Sequence, residues 1–198
     1  MTCTNKKLIG LFGTVYFIGF AASSGFIPRI ADHIGRKKPF IVSIFIQTVA
    51  YACLFISTNV YFTISMFTVI GIVAGGRVGI ASNYMNEFSP QKYQNACQAA
   101  LNVLDASVMI FQAVMYYFTR DWLPVHIVGI SGALVILIVL TTLIPESPKF
   151  YYSRKKFDEA RDMLAWVEKV NGGQGKIKNC VFDTEVAMLS KSSFEEEI

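Results

Sequence analysis

"LPVHIVGISGALVILIVLTTLI", Leu123 to Ile144, runs for twenty-two residues without an acid, a lysine or an arginine. As a helix rising ~1.5 Å per residue it reaches across the ~30 Å hydrocarbon layer of a bilayer. Four further stretches are almost as free of charge: Leu8–Ile30, Phe40–Ser57, Val60–Tyr84 and Ala96–Phe118. Backbone groups in lipid must find partners within their own segment. Runs this long also lack the ten-residue alternation of a transmembrane barrel, so the spans are helices. The sequence predicts an all-α, integral membrane protein with five transmembrane helices joined by short polar connections, antiparallel to their neighbours. Its 53% hydrophobic residues, 16% charged residues and mean hydropathy of +0.44 lie outside the range of a soluble domain.

The charges concentrate beside the spans. Arg29, Arg36, Lys37, Lys38, Lys92, Lys149, Arg154, Lys155 and Lys156 share one side, against Lys6, Lys7 and Arg120 on the other. The positive-inside rule puts the first group, with the C-terminus, on the cytoplasmic or matrix side and the N-terminus outside. The membrane itself, plasma or organellar, is left open. The neighbours expected for these cations are lipid headgroups of the bilayer, not nucleic acid, because no soluble basic face is present. The first apolar run is too long for the core of a cleaved signal peptide and is expected to remain as a span. Cys3, Cys53, Cys97 and Cys180 have neither redox nor metal spacing and read as packing residues.

At "PESPKF" two prolines end the apolar pattern. Beyond it, Phe157, Ala160, Met163, Leu164, Val167 and Val170 recur at helical spacing, with Asp158 and Glu159 in the first turn and Gly172 at the end. The division expected is a transmembrane domain over 1–146, an inner-side amphipathic helix over 147–172, and a linker and tail over 173–198.

Two groups of polar residues stand out. Between the first two spans, "ADHIGRKK" (Ala31–Lys38) carries Asp32 at a helix end, Gly35 for a tight turn and Arg36, with Pro39 placed to open the next helix. Arg36 can reach back to Asp32 or across to an acid on a neighbouring helix, because a guanidinium holds a carboxylate through two parallel bonds. A loop whose cations only set topology is the simpler alternative. Deeper, Arg77 and Asp105 lie equally far from the turn near Gln91, roughly 15 Å in, and charges there are functional candidates by default. Asn95, Gln98, Asn102, Asp105 and Gln112 make one polar stripe down the fourth span. The residues Arg77, Gln98, Asn102 and Asp105 are therefore candidates for a solute path, or for hydrogen bonding between helices. Gly71, Gly75 and Gly79 form a ridge where another helix can pack closely. His126 reads as an interfacial residue.

Three motifs, in order, resemble the major facilitator superfamily: D-x-x-G-R-K at Asp32, Gly35, Arg36 and Lys37; "NYMNEFSP" with Glu87 and Pro90; and "PESPKFYYSRKKFDEA" from Pro145 to Ala160. The chain is similar to the organic cation and anion transporters, the synaptic-vesicle glycoprotein 2 group and, more distantly, the sugar porters, from Gly19 to Gly172. The resemblance implies that the five spans correspond to helices two to six of a twelve-helix fold. It also implies that Asp32, Arg36, Glu87 and Glu146 form a gating charge network. Three positions depart from the family: Pro28 stands for a glycine, and Phe67 and Gln94 for arginines.

The function expected is transport of a small organic ion or sugar-like solute by alternating access, together with a complementary transporter half. The alternative is a transport-inactive, transporter-derived subunit packed among other membrane subunits. No nucleophile-base pair, phosphate loop or metal cluster appears in the sequence, so neither an enzyme nor a bound cofactor or metal is expected.

Overall fold

The computed structural model describes residues 6–173 together with Phe182 and Glu185. The described chain forms helices α1 (Lys6–Ile34), α2 (Lys37–Ile56), α3 (Val60–Phe88), α4 (Gln94–Thr119), α5 (Trp122–Thr142), α6 (Pro148–Ser153) and α7 (Phe157–Val170), with a 3-10 turn at Gln91–Tyr93 and no strand. The first five are long and apolar enough to cross a membrane. Each extends its expected span by a few residues or ends within two of it. Pro39 falls in the third position of α2 rather than the first, because Lys37 and Lys38 already belong to the helix. Cys53 and Cys97 are free thiols within the helices, while Cys3 and Cys180 lie outside the described residues.

The chain divides into two units, Met1–Ile144 and Pro145–Ile198. In the first, α3 is the central element. It packs most extensively on α1, next on α2, and more lightly on α4, while α2 also meets α5. Small residues make the α1–α3 contact possible. A Cβ on Gly71 would run into the backbone of Tyr16, and one on Gly75 into Phe20 and Ser23. Where lipid tails are as apolar as leucine, this close van der Waals approach, more than apolar burial, holds two helices together. Ile44, Ala50, Ile70, Val73, Ala74 and Ile80 fill the rest of the buried core.

The connections follow local chemistry. Gly35 takes φ 111° between α1 and α2, a left-handed conformation that glycine adopts without strain, and its N–H donates to Ala31 O at 3.0 Å. The Asn59 side chain accepts from Tyr61 N at 3.0 Å and so caps α3. In contrast α4, which packs lightly on α3 and α5, buries none of its residues.

In the second unit Pro148 occupies the first turn of α6, where a missing N–H costs nothing. Phe182 packs its ring against Tyr152 and Phe157, with centroids 5.2 and 5.7 Å away. Arg161 of α7 pairs with Asp158 at 2.7 Å and with Glu185. The Glu185 carboxylate raises the Arg161 pKa above its ordinary value. Glu159, bonded to its own backbone N–H and then to Lys156, is held below the usual carboxylate range.

Candidate functional site

At one end of the first unit, the α1–α2 turn and the end of α3 bring three charges together. Arg36 donates from Nε and Nη2 to Glu87 Oε1 at 3.3 and 3.1 Å, and pairs with Asp32 one helical turn behind it. The side chains of Arg36 and Glu87 are only 13% and 10% exposed, whereas Asp32 is 51% exposed. The Arg36–Glu87 pair is therefore the shielded member and Asp32 the screened one. Lys37 donates to the Thr141 carbonyl at 3.3 Å, which ties the start of α2 to the end of α5. Gly35 makes the turn that presents Arg36. Glu146 lies in the second unit, where its Oε1 accepts from Ser147 N at 3.1 Å.

The three departures from the family each have a local structural role. Pro28 packs against α3 where Gly79 leaves room, since a Cβ on Gly79 would lie 2.7 Å from Pro28 Cγ. Phe67 meets Phe12 edge to face at 5.3 Å. Gln94 donates to the carbonyls of Asn86 and Ser89 at 3.0 and 3.5 Å, closing the α3–α4 turn. Among the described residues, the second oxygen of Glu87, Oε2, is buried without a hydrogen-bond partner.

Midway along the bundle, Arg77 Nη1 donates to Gln47 Oε1 on α2. Arg77 and Asp105, level in depth, form no ion pair: those among the described residues are elsewhere. Asp105 stays within electrostatic reach of the guanidinium, as do Tyr16 and Tyr51. The two charges share a level, and Asn102 and Asp105 are exposed, as are residues 102–114 of α4 throughout. Gln98 turns toward α3 and donates to Ser82 Oγ at 3.4 Å, while among the described residues its Oε1 is buried without a hydrogen-bond partner. Of the candidate path residues, Arg77 thus bonds Gln47, Gln98 lies at the α3–α4 seam, and Asn102 and Asp105 stay exposed, Asp105 in the helical register of Gln98 and Gln112.

The interior path has other walls. Arg77 and Gln47 border an open groove of about 360 Å³ against α4 and α5, to which Phe111, Gln112, Gly129 and Gly132 contribute. A second cavity of about 190 Å³ shares Gln47, Gln112 and Gly129 and adds Tyr51 and His126. A third, of about 520 Å³, shares His126 and adds Phe55, Ser57, Thr63 and Trp122 at the end of the bundle opposite Arg36. His126 stands between the second and third, its Nδ1 3.0 Å from Trp122 O and its ring edge-on to those of Tyr51, Phe55 and Trp122. Sequence reasoning passed over Gln47 and Tyr51. The signal for Gln47 is that it is the one amide in the apolar run of α2.

The family model for sugar (and other) transporters matches residues 2–196. The chain is 26% identical to organic cation/carnitine transporter 4 of Arabidopsis thaliana over 175 residues, 87% of this chain and 33% of that protein. It is 24% identical to the niacin transporter NiaP of Acinetobacter baylyi over 165 residues, 82% of this chain and 38% of that one. It is 27% identical to human organic cation/carnitine transporter 2 over 179 residues, 87% and 31% of the two chains. The chain thus spans about a third of the length of these relatives.

Proposed function

The chain belongs to the sugar (and other) transporter family of the major facilitator superfamily, and from that premise we propose that it carries part of the path by which a small organic ion or sugar-like solute crosses a membrane by alternating access. The observation that carries the reading is the asymmetry of the first unit. A largely buried Arg36–Glu87 pair closes one end, and three cavities with shared walls lead from the other end to Arg77. A charge clasp at one mouth with open space at the other is the arrangement of a rocking bundle in one of its two states. The clasped end, rich in cations, faces the cytoplasm or matrix, and the N-terminus faces outward. The complementary half that alternation needs would come from another part of a longer chain or from another subunit.

A second reading, a transport-inactive subunit descended from a transporter, draws support from the bare flank of α4. Asn102 and Asp105 are exposed there at mid-span, and polar groups at that depth need protein or water beside them.

The test is uptake of labelled glucose, tetraethylammonium and benzoate into cells that express the chain in its native membrane. Flux above that of cells lacking the chain, changed by Arg36→Ala, supports transport. Absence of flux for all three, with the chain held stably in a larger complex, overturns transport in favour of the subunit.

A further inference from the structure

The second unit carries a concentration of charge for which the solute path has no use. Arg154, Lys155 and Lys156 follow one another in the turn between α6 and α7, Lys149 lies on α6, and all four are exposed. From 147 to 157 the chain has no acid. The nearest acids of α7 do little to neutralise the cluster. Asp158 pairs with Arg161, and Glu159 reaches only Lys156, at 3.3 Å between two exposed side chains where water screens the attraction. Among the described residues, Lys149 and Lys155 form no ion pair.

The turn that holds these cations is closed. Arg154 N donates to Tyr151 O at 3.1 Å, Lys155 N to Tyr152 O at 3.0 Å and Lys156 N to Tyr151 O at 3.0 Å. All three amides are thus spent within the unit, and an anion arriving here meets side chains alone. Lys155 takes φ 60°, a left-handed conformation that costs an L side chain stability and costs glycine none. The position holds a charge where the backbone favours glycine. Arg154 lies over the Phe150 ring, 5.3 Å from its centroid, which keeps the guanidinium beside α6.

The tether selects the anion. Residues 143–147 are all that joins α5 to α6, so the cluster follows directly on a membrane span and a headgroup layer is always within its reach. Trp166 of α7 is 38% exposed, and indole rings settle at headgroup level. We propose that the α6–α7 turn docks on acidic phospholipids of the bilayer that the helices span, with headgroup phosphates and carboxylates against Arg154, Lys155, Lys156 and Lys149. Setting topology needs only cations near span ends; a fixed basic turn adds preference for acidic over neutral headgroups. The proposal is independent of the solute path.

The experiment places the full chain, with Trp122→Phe so that Trp166 is its single tryptophan, in phosphatidylcholine nanodiscs. A trace of dansyl-phosphatidylserine or dansyl-phosphatidylcholine accepts energy from Trp166. At low ionic strength, transfer to the serine lipid is expected to exceed transfer to the choline lipid at least about threefold, and the excess to fall as salt is added. Arg154→Gln, Lys155→Gln and Lys156→Gln together should abolish the excess while keeping the helical circular-dichroism spectrum. Should that variant fail to fold, Lys155→Gly decides: it should lower the excess about twofold without lowering the unfolding temperature, since glycine relieves the left-handed backbone. Equal transfer to the two lipids overturns the proposal, as does an excess that survives both variants. Should the excess be absent and appear only with Glu195→Gln, Glu196→Gln and Glu197→Gln, the acidic run of the chain itself is the occupant and the lipid assignment falls.

Discussion

The two arginines of the first unit have the same chemistry and opposite settings. Arg36 sits at a helix end among acids supplied by the fold, Asp32 behind it and Glu87 across from it. Arg77 sits in mid-span with one amide for company and a cavity beside it. A guanidinium whose partners are already carboxylates of the protein serves as a clasp. The local sequence shows why: a turn can crowd acids and bases together, whereas the glycine-rich middle of α3 is committed to fitting against α1.

The comparison is broken most directly at the clasp. Glu87→Ala removes the partner of the Nε–Nη2 edge of a largely buried Arg36, and should cost about 3 kcal/mol. Thermal unfolding in detergent micelles measures it, and a loss below ~1 kcal/mol would show that the Arg36–Glu87 pair is not the member that holds. The swap Arg36→Glu with Glu87→Arg should recover part of the loss, since it restores attraction across the seam. Next comes the scaffold that both arginines depend on. Gly75→Ala forces a methyl against the Phe20 backbone, which should cost about 2 kcal/mol and loosen α1 from α3, read by hydrogen exchange in α1.

Arg77→Gln sharpens the contrast. It should change stability by no more than about 1 kcal/mol in either direction, since losing the Gln47 bond is offset by removing a costly ion from mid-span. A loss as large as that of Glu87→Ala would make Arg77 a structural clasp as well. Asp105→Asn removes a negative charge within reach of Arg77 and should cost up to about 1 kcal/mol in the unfolding assay at low ionic strength, the loss shrinking as salt is added. The smallest effect belongs to Asp32→Asn. Its half-exposed, solvent-screened pair should lose about 0.5 kcal/mol in the same unfolding assay, against the larger loss from Glu87→Ala.

Much of the fold was legible because it depends on local rules. Span length, the Gly35 turn and the helical period from Phe157 to Val170 are each written in a few consecutive residues. The residues alone offered Arg36 either Asp32 or an acid on a neighbouring helix; Glu87 came in only through the family resemblance, and the fold brings it to Arg36. Arg77 and Asp105 show where such reasoning stops. Counting residues from a shared turn fixes height in the membrane but not the distance across the seam, and the two charges at one level form no ion pair among the described residues. Gln47, lone in an apolar helix, gave no periodic signal, and neither did the cavities, which exist only where α2, α3, α4 and α5 fail to fill the space between them.

By itself, the amino-acid sequence determined that this chain is a set of five membrane helices with a charged turn at one end and an amphipathic helix after them. Chain-local hydropathy and turn chemistry suffice for that. Only the tertiary structure decided which acid Arg36 holds, that Arg77 faces an amide and an open space, and that His126 divides two cavities. Each of these depends on the angular phase at which one helix meets another, and that phase is set by packing side chains across the seams.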